Sequence, residues 1–264
     1  MSVINYYTGI IEASGAGAFS APAVKYDGVG NYIYRSALTG SSSFSTGILS
    51  FWINLANVPA GASQVMQVYN PTALSGVACD LVASGGGFYI RSLAFNNSSS
   101  SSIVFGSPST TYSYGSWYNF LMSWDMSYAS PGMLANYYVN DSAVTDKGQS
   151  GPASSIDYTG GAVYINGNGI TAPPSSNLFQ GCLSELYFAP GQYLDFTVTD
   201  NRRKFINSSG KPAFLGYSGL APTGIQPKIY IHRAFNDSYG TNDGDGGNFN
   251  VVGSYSACAS SPSS

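Results

Sequence analysis

The chain has 264 residues, of which 9% are charged and 44% hydrophobic, and its formal net charge is −3. Ten Lys and Arg residues scattered along such a chain make no phosphate-neutralising footprint, so nucleic acid is set aside as a partner. No run of about 18 apolar residues occurs, so no membrane-spanning helix and no membrane partner is expected, and the length suits one large all-β unit.

The N-terminal residues Met1-Ser2-Val3-Ile4-Asn5-Tyr6-Tyr7 carry neither a positive region nor an apolar run of signal-peptide length, and the expectation is a protein made soluble without a standard export signal. Short segments of period-two alternation follow, rich in β-branched and aromatic residues and closed by Gly, Asn, Ser or Pro. Strands are expected at 23–26, 31–34 and 48–55, where Leu49, Phe51, Ile53 and Leu55 share one face. Further strands are expected at 64–69, 87–93 and 117–124, the last with Tyr118, Phe120, Met122 and Trp124 on one face, and then at 136–139, 162–166, 182–189 and 228–232. So many strands imply two packed sheets. The one helical signal is at 199–206, where Thr199 or Asp200 can cap a short helix with Arg202, Arg203 and Lys204 toward its end. The serine runs at 41–43 and 98–102 are expected as loops, and about 236–264 as a Gly/Ser-rich C-terminal extension of a single domain over 1–264.

Cys79, Cys182 and Cys258 are odd in number and widely spaced, so buried or inert thiols are expected in place of a disulfide framework or a zinc site.

Tyr26-Asp27-Gly28 with Asn31-Tyr32-Ile33, then Leu49-Ser50-Phe51-Trp52-Ile53, Gly115-Ser116-Trp117-Tyr118, Tyr137-Tyr138-Val139-Asn140 and Gly181-Cys182-Leu183-Ser184-Glu185-Leu186-Tyr187, resemble in order the strands of a laminin-G-like or concanavalin-A-like jelly roll. Asp141 departs from that pattern, in which a Gly follows the Asn. The C-terminal third, with Asn201-Arg202-Arg203-Lys204-Phe205-Ile206, Gly210-Lys211-Pro212, Pro222-Thr223-Gly224 and Tyr239-Gly240-Thr241-Asn242, is similar to the laminin-G-like proteins of tailed-bacteriophage virions. The resemblance implies a two-sheet antiparallel β-sandwich with one short helix, a virion setting, and attachment to a partner or a glycan.

A glycosidase needs two carboxylates facing each other across the scissile bond. The two Glu residues are Glu12 and Glu185, and neither has an acidic neighbour on its own strand face. The single histidine, His232, ends a strand pattern with no nucleophile motif to serve. No catalytic residue, metal or cofactor is therefore assigned, and the chain is expected not to be an enzyme.

Three features remain as binding candidates. Asn242-Asp243-Gly244-Asp245-Gly246-Gly247-Asn248 clusters oxygen ligands, but without the closing Glu of an EF-hand it reads as a Gly/Asp turn, with calcium at Asp243 and Asp245 left open. The basic run ending at Lys204 reads as the outer face of a packed helix. Trp52, Trp117 and Trp124 are expected in the core, and the loop residues Tyr112, Tyr114, Tyr128 and Tyr239 are the exposed candidates for a glycan. The leading expectation is a structural protein on the exterior of a tailed-phage virion, a capsid decoration, head-fibre or tail-associated protein in contact with other virion proteins. The alternative is a receptor-binding lectin module of a tail fibre that recognises a host surface carbohydrate. The low charge favours a homo-oligomer in either case.

Overall fold

The computed structural model describes residues 19–59, 62–167, 178–234 and 239–264. The N-terminal segment and Glu12 lie outside them. In chain order the strands are β1 (Val24–Asp27), β2 (Tyr32–Arg35), β3 (Ser43–Phe44), β4 (Thr46–Asn57), β5 (Ala62–Asn70), β6 (Ser75–Ser84), β7 (Gly87–Asn96), β8 (Ser101–Phe105) and β9 (Tyr112–Ser113). They continue with β10 (Trp117–Asp125), β11 (Leu134–Val139), β12 (Ser142–Ala143), β13 (Lys147–Ser150), β14 (Ile156–Asp157), β15 (Ala162–Ile165) and β16 (Gln180–Pro190). After the short helix α1 (Thr199–Arg202) come β17 (Ile229–Ile231), β18 (Asn250–Val252) and β19 (Ser256–Ala257).

Strands with one apolar face must bury it against a second layer, and here two antiparallel sheets do so face to face. The first runs β12-β11-β10-β4-β16-β1-β19, with β17 beside β16. The second runs β13-β8-β7-β6-β5-β15-β2-β18, with β9 beside β7. Their inner faces make one hydrophobic core that includes Leu49, Phe51, Ile53 and Leu55 of β4 and Phe120, Met122 and Trp124 of β10. Phe51 and Phe120 are register partners whose rings stack at 5.4 Å. Gly47 passes so close beneath the Trp124 ring that a Cβ there would collide with it.

A third layer covers the outer face of the first sheet. Ile48, Leu121, Tyr187 and Ala189 point away from the main core and pack under Phe196, Phe205 and Leu215 in a second buried cluster. The side chains that alternation left on the wrong side of β4 and β10 are thus buried by the segment that carries α1.

Several expectations are corrected. The serine run at 98–102 is partly strand: Ser101 opens β8, whose Ile103 and Phe105 enter the core. Strand β6 was not anticipated, because its outward residues Gly76 and Ala78 are small and uncharged and blur the alternation of Val77, Cys79 and Leu81. Neither Thr199 nor Asp200 caps α1; Val198 holds that position without a side-chain hydrogen bond. The segment expected as an extension contributes an edge strand to each sheet, β18 to β2 and β19 to β1. Cys182 and Cys258 form a disulfide with Cα atoms 6.0 Å apart, and only Cys79 is a free, buried thiol. The pairing was hidden because 76 residues separate the two cysteines in sequence, while β1 brings β16 and β19 together in space.

Candidate ligand pocket

The residues singled out by sequence have structural partners. Asp141 and Asn140 both adopt left-handed φ, at 66° and 47°, in the β11–β12 turn. Asp141 stands where the resembled family has Gly because its carboxylate is used: Arg202 Nε and Arg203 Nη2 each donate to it at 2.6 Å. Burial acts to raise its pKa, but these hydrogen bonds outweigh burial and hold the carboxyl below the usual range. Arg202 also lies 4.5 Å over the Tyr138 ring and donates to the Phe196 carbonyl. The basic run therefore fastens α1 to the first sheet, and of its three cations only Lys204 is left without an ion-pair or hydrogen-bond partner among the described residues.

The Asp/Gly loop is a turn organised by buried Asn242. Its Oδ1 accepts from the Tyr230 and Gly244 amides, and its Nδ2 donates to the Lys228 and Gly247 carbonyls. Asp243 pairs with His232 at 3.1 Å and with Arg233, and Asp245 pairs with Lys228 at 3.0 Å. Among the described residues no group of three or more metal-ligating side chains converges.

Glu185 sits in a bulge of β16, at the point where its neighbour changes from β1 to β17, with a left-handed φ of 51°. Its carboxyl is buried; Tyr230 OH donates to Oε2 at 2.8 Å while Oε1 has no partner. Burial pushes its pKa up to about 8, against a smaller lowering by Tyr230. His232 stacks on Tyr230 at 4.2 Å, and burial holds its pKa below the usual value.

The aromatic expectations divide. Trp124 is core and Trp52 is buried, but Trp117 is half-buried and donates to Ser260 Oγ. Of the tyrosines expected on the surface, Tyr128 is exposed, whereas Tyr112 and Tyr114 pack against Phe88, and Tyr239 is buried with Tyr26 and Tyr255.

A pocket of about 510 Å³ opens where β11, β13 and the segment after β16 meet. Its polar groups are held in place from behind. Asn136 is buried and donates both amide hydrogens, to Ser123 Oγ at 3.1 Å and to Tyr193 OH at 3.0 Å; Ser123 in turn donates to the Leu194 carbonyl. Asn136 Oδ1 thus remains as an acceptor and the Tyr193 hydroxyl hydrogen as a donor. Burial, with Asp195 and Asp125 nearby, keeps the Tyr193 pKa above its usual value despite the Asn136 bond, so that hydrogen stays on. Asp195 Oδ1 accepts from the Thr197 amide and hydroxyl, which leaves Oδ2 open. Gln149 Nε2 donates to the Pro131 carbonyl, and Lys147 donates one of its hydrogens to the Ala135 carbonyl while burial lowers its pKa. Met133 and Leu134 add apolar wall. Fixed donors and acceptors interleaved around an apolar wall match a ligand rich in hydroxyls, each of which both gives and accepts a hydrogen bond. Sequence reading missed Tyr193 and Asn136 because the pocket joins three segments distant in the chain and none carries a local motif.

No protein-family model matches the chain, and no curated protein matches it in sequence. Solved structures match in fold. A native heptameric SAP-like pentraxin from Limulus polyphemus superimposes with a TM-score of 0.58 at 13% identity, over 93% of this chain and 98% of that one. A "putative carbohydrate binding protein" from Bacteroides ovatus ATCC 8483 superimposes with a TM-score of 0.53 at 12% identity, over 92% of this chain and 62% of that one. The LG1-3 region of the laminin alpha2 chain gives 0.45 at 14% identity, over 64% and 31% of the two chains. The likeness to the first two shows the fold alone, a two-sheet antiparallel jelly roll.

Proposed function

We propose that the chain is a non-enzymatic recognition domain that holds a glycan in the pocket around Tyr193. The observation that carries this reading is the Ser123–Asn136–Tyr193 relay, which fixes an open acceptor and an open donor side by side. The description of the Bacteroides ovatus structure as a carbohydrate-binding protein agrees with it, although one fold serves many functions and the site must carry the argument. The absence of catalysis is supported by the lining, in which Asp195 is the one carboxylate, against the opposed pair that glycoside hydrolysis requires. A microarray of bacterial and animal saccharides probed with the labelled chain tests the reading: retention on a subset of glycans, lost in Tyr193→Ala at unchanged melting temperature, supports it, and uniform silence rejects it.

The resemblance of the C-terminal third to tailed-phage proteins supports a place on a virion exterior, and a glycan pocket favours the host-facing end of a tail over a capsid lattice. Self-association is supported by the low charge and by the heptameric state named for the pentraxin. Antibody labelling of intact particles checks the setting: a few copies at the tail tip are expected, and dense labelling of the head would return the domain to the role of capsid decoration.

A further inference from the structure

Tyr193 also lines a second pocket, of about 480 Å³, on the side of α1 and the 221–225 turn. Its floor is fixed as firmly as that of the first. Gln192 is buried, donates to the Ile225 and Gln226 carbonyls, and accepts from Thr223 Oγ1. Its lining is mostly polar, with apolar patches from Leu194, Pro222 and the exposed Ile225, and its one charged group is Lys204. That cation is the member of the basic run that Asp141 does not take, so its three donor hydrogens stay available to a ligand. The two pockets therefore share Tyr193, whose hydroxyl is already held by Asn136.

We infer that the ligand is an extended oligosaccharide that crosses Tyr193, with consecutive sugar units seated in the two pockets, and not a single terminal sugar. The inference rests on the glycan reading above and adds chain length to it. A sugar has apolar C–H faces that suit the Leu194, Pro222 and Ile225 wall, and hydroxyls that suit the Lys204 ammonium. Once one unit is held beside Asn136, the next enters the second pocket as an intramolecular event, so affinity rises steeply when the chain becomes long enough to span both.

The test is titration calorimetry with size-graded oligomers, from monosaccharide to hexasaccharide, of glucose, N-acetylglucosamine, mannose, rhamnose and galacturonic acid. For any series that binds, tenfold or greater tightening is expected between the shortest and longest members. Lys204→Gln should remove most of that gain and leave monosaccharide affinity and melting temperature unchanged; Ile225→Ser should act in the same direction. Equal affinity for short and long members, or an equal loss at every length in Lys204→Gln, would overturn the two-pocket inference while leaving glycan binding in place. Silence across all five series would instead remove the glycan reading and this inference with it.

Discussion

The sandwich interior and the cover over its first sheet are built by different means. The interior is closed mainly by apolar alternation: Leu49, Phe51, Phe120 and Met122 face their counterparts on β5, β6 and β7, and among the described residues no ion pair joins the two sheets. The cover, described residues 191–228 with the loops after β17 at 232–234 and 239–248, packs through Phe196, Phe205 and Leu215 but is also pinned by charge. Among the described residues every pair of a carboxylate with Lys or Arg except Arg91–Asp80 has a member there, including Arg202 and Arg203 with Asp141 and Arg233 with Asp243. A regular strand pattern specifies its own partner, whereas an irregular segment has no periodicity to hold its register, and specific charged contacts provide that register. The few charges of this chain are concentrated where backbone regularity is missing, and the candidate pocket lies at the boundary between the two regions.

Changes that should separate the regions differ in size. Removing the disulfide frees a 76-residue loop that contains the whole cover, and the loop-closure argument gives a loss of up to about 4.5 kcal/mol; denaturant unfolding of Cys182→Ser/Cys258→Ser measures it, and no loss would show that the cover holds itself. Phe120→Ala in the interior should cost about 3–5 kcal/mol and lower the stability of both regions together.

Glu185 offers a change in the opposite direction. Its folded pKa of about 8 stands above the ordinary 4.5, so the stability due to its protonated form is complete below about pH 4.5 and is lost as pH rises through about 8. Glu185→Gln keeps an acceptor for Tyr230 without the buried charge, and should flatten that decline and raise stability at pH 8 by on the order of 3 kcal/mol. A variant that keeps the wild-type slope between pH 5 and 8 would refute the assignment.

A smaller effect is expected at Asp141. Its depressed pKa means that its contribution is present above the unfolded carboxylate range and is lost as pH falls through the folded value. Asp141→Asn should cost about 1–3 kcal/mol near neutrality, and Asp141→Gly less, because Gly relieves the left-handed φ while losing the same pairs. Calcium should leave the melting temperature unchanged, since Asp243 and Asp245 are already matched by Arg233 and Lys228.

The same contrast explains what the sequence made legible. Strands β4 and β10 could be read from side chains two residues apart, and their inward faces are those expected. Strand β6 escaped because Gly76 and Ala78 carry too little polarity to mark an outer face. The cover, whose basic run could be placed on a short helix, hid its purpose: nothing local to Arg202 shows that Asp141 is its partner, 61 residues away. The pocket was illegible for the same reason, since Asn136 reads as one more strand residue until Ser123 and Tyr193 are seen on either side of its amide.

The most direct test is a crystal structure with the saccharide that the microarray ranks first. The account predicts sugar density against Tyr193, with a hydroxyl between Asn136 Oδ1 and the tyrosine hydroxyl. Density instead on the outer face of the second sheet, where Tyr34 and Tyr164 stack at 5.9 Å, would contradict it and place recognition on the face that the cover leaves free.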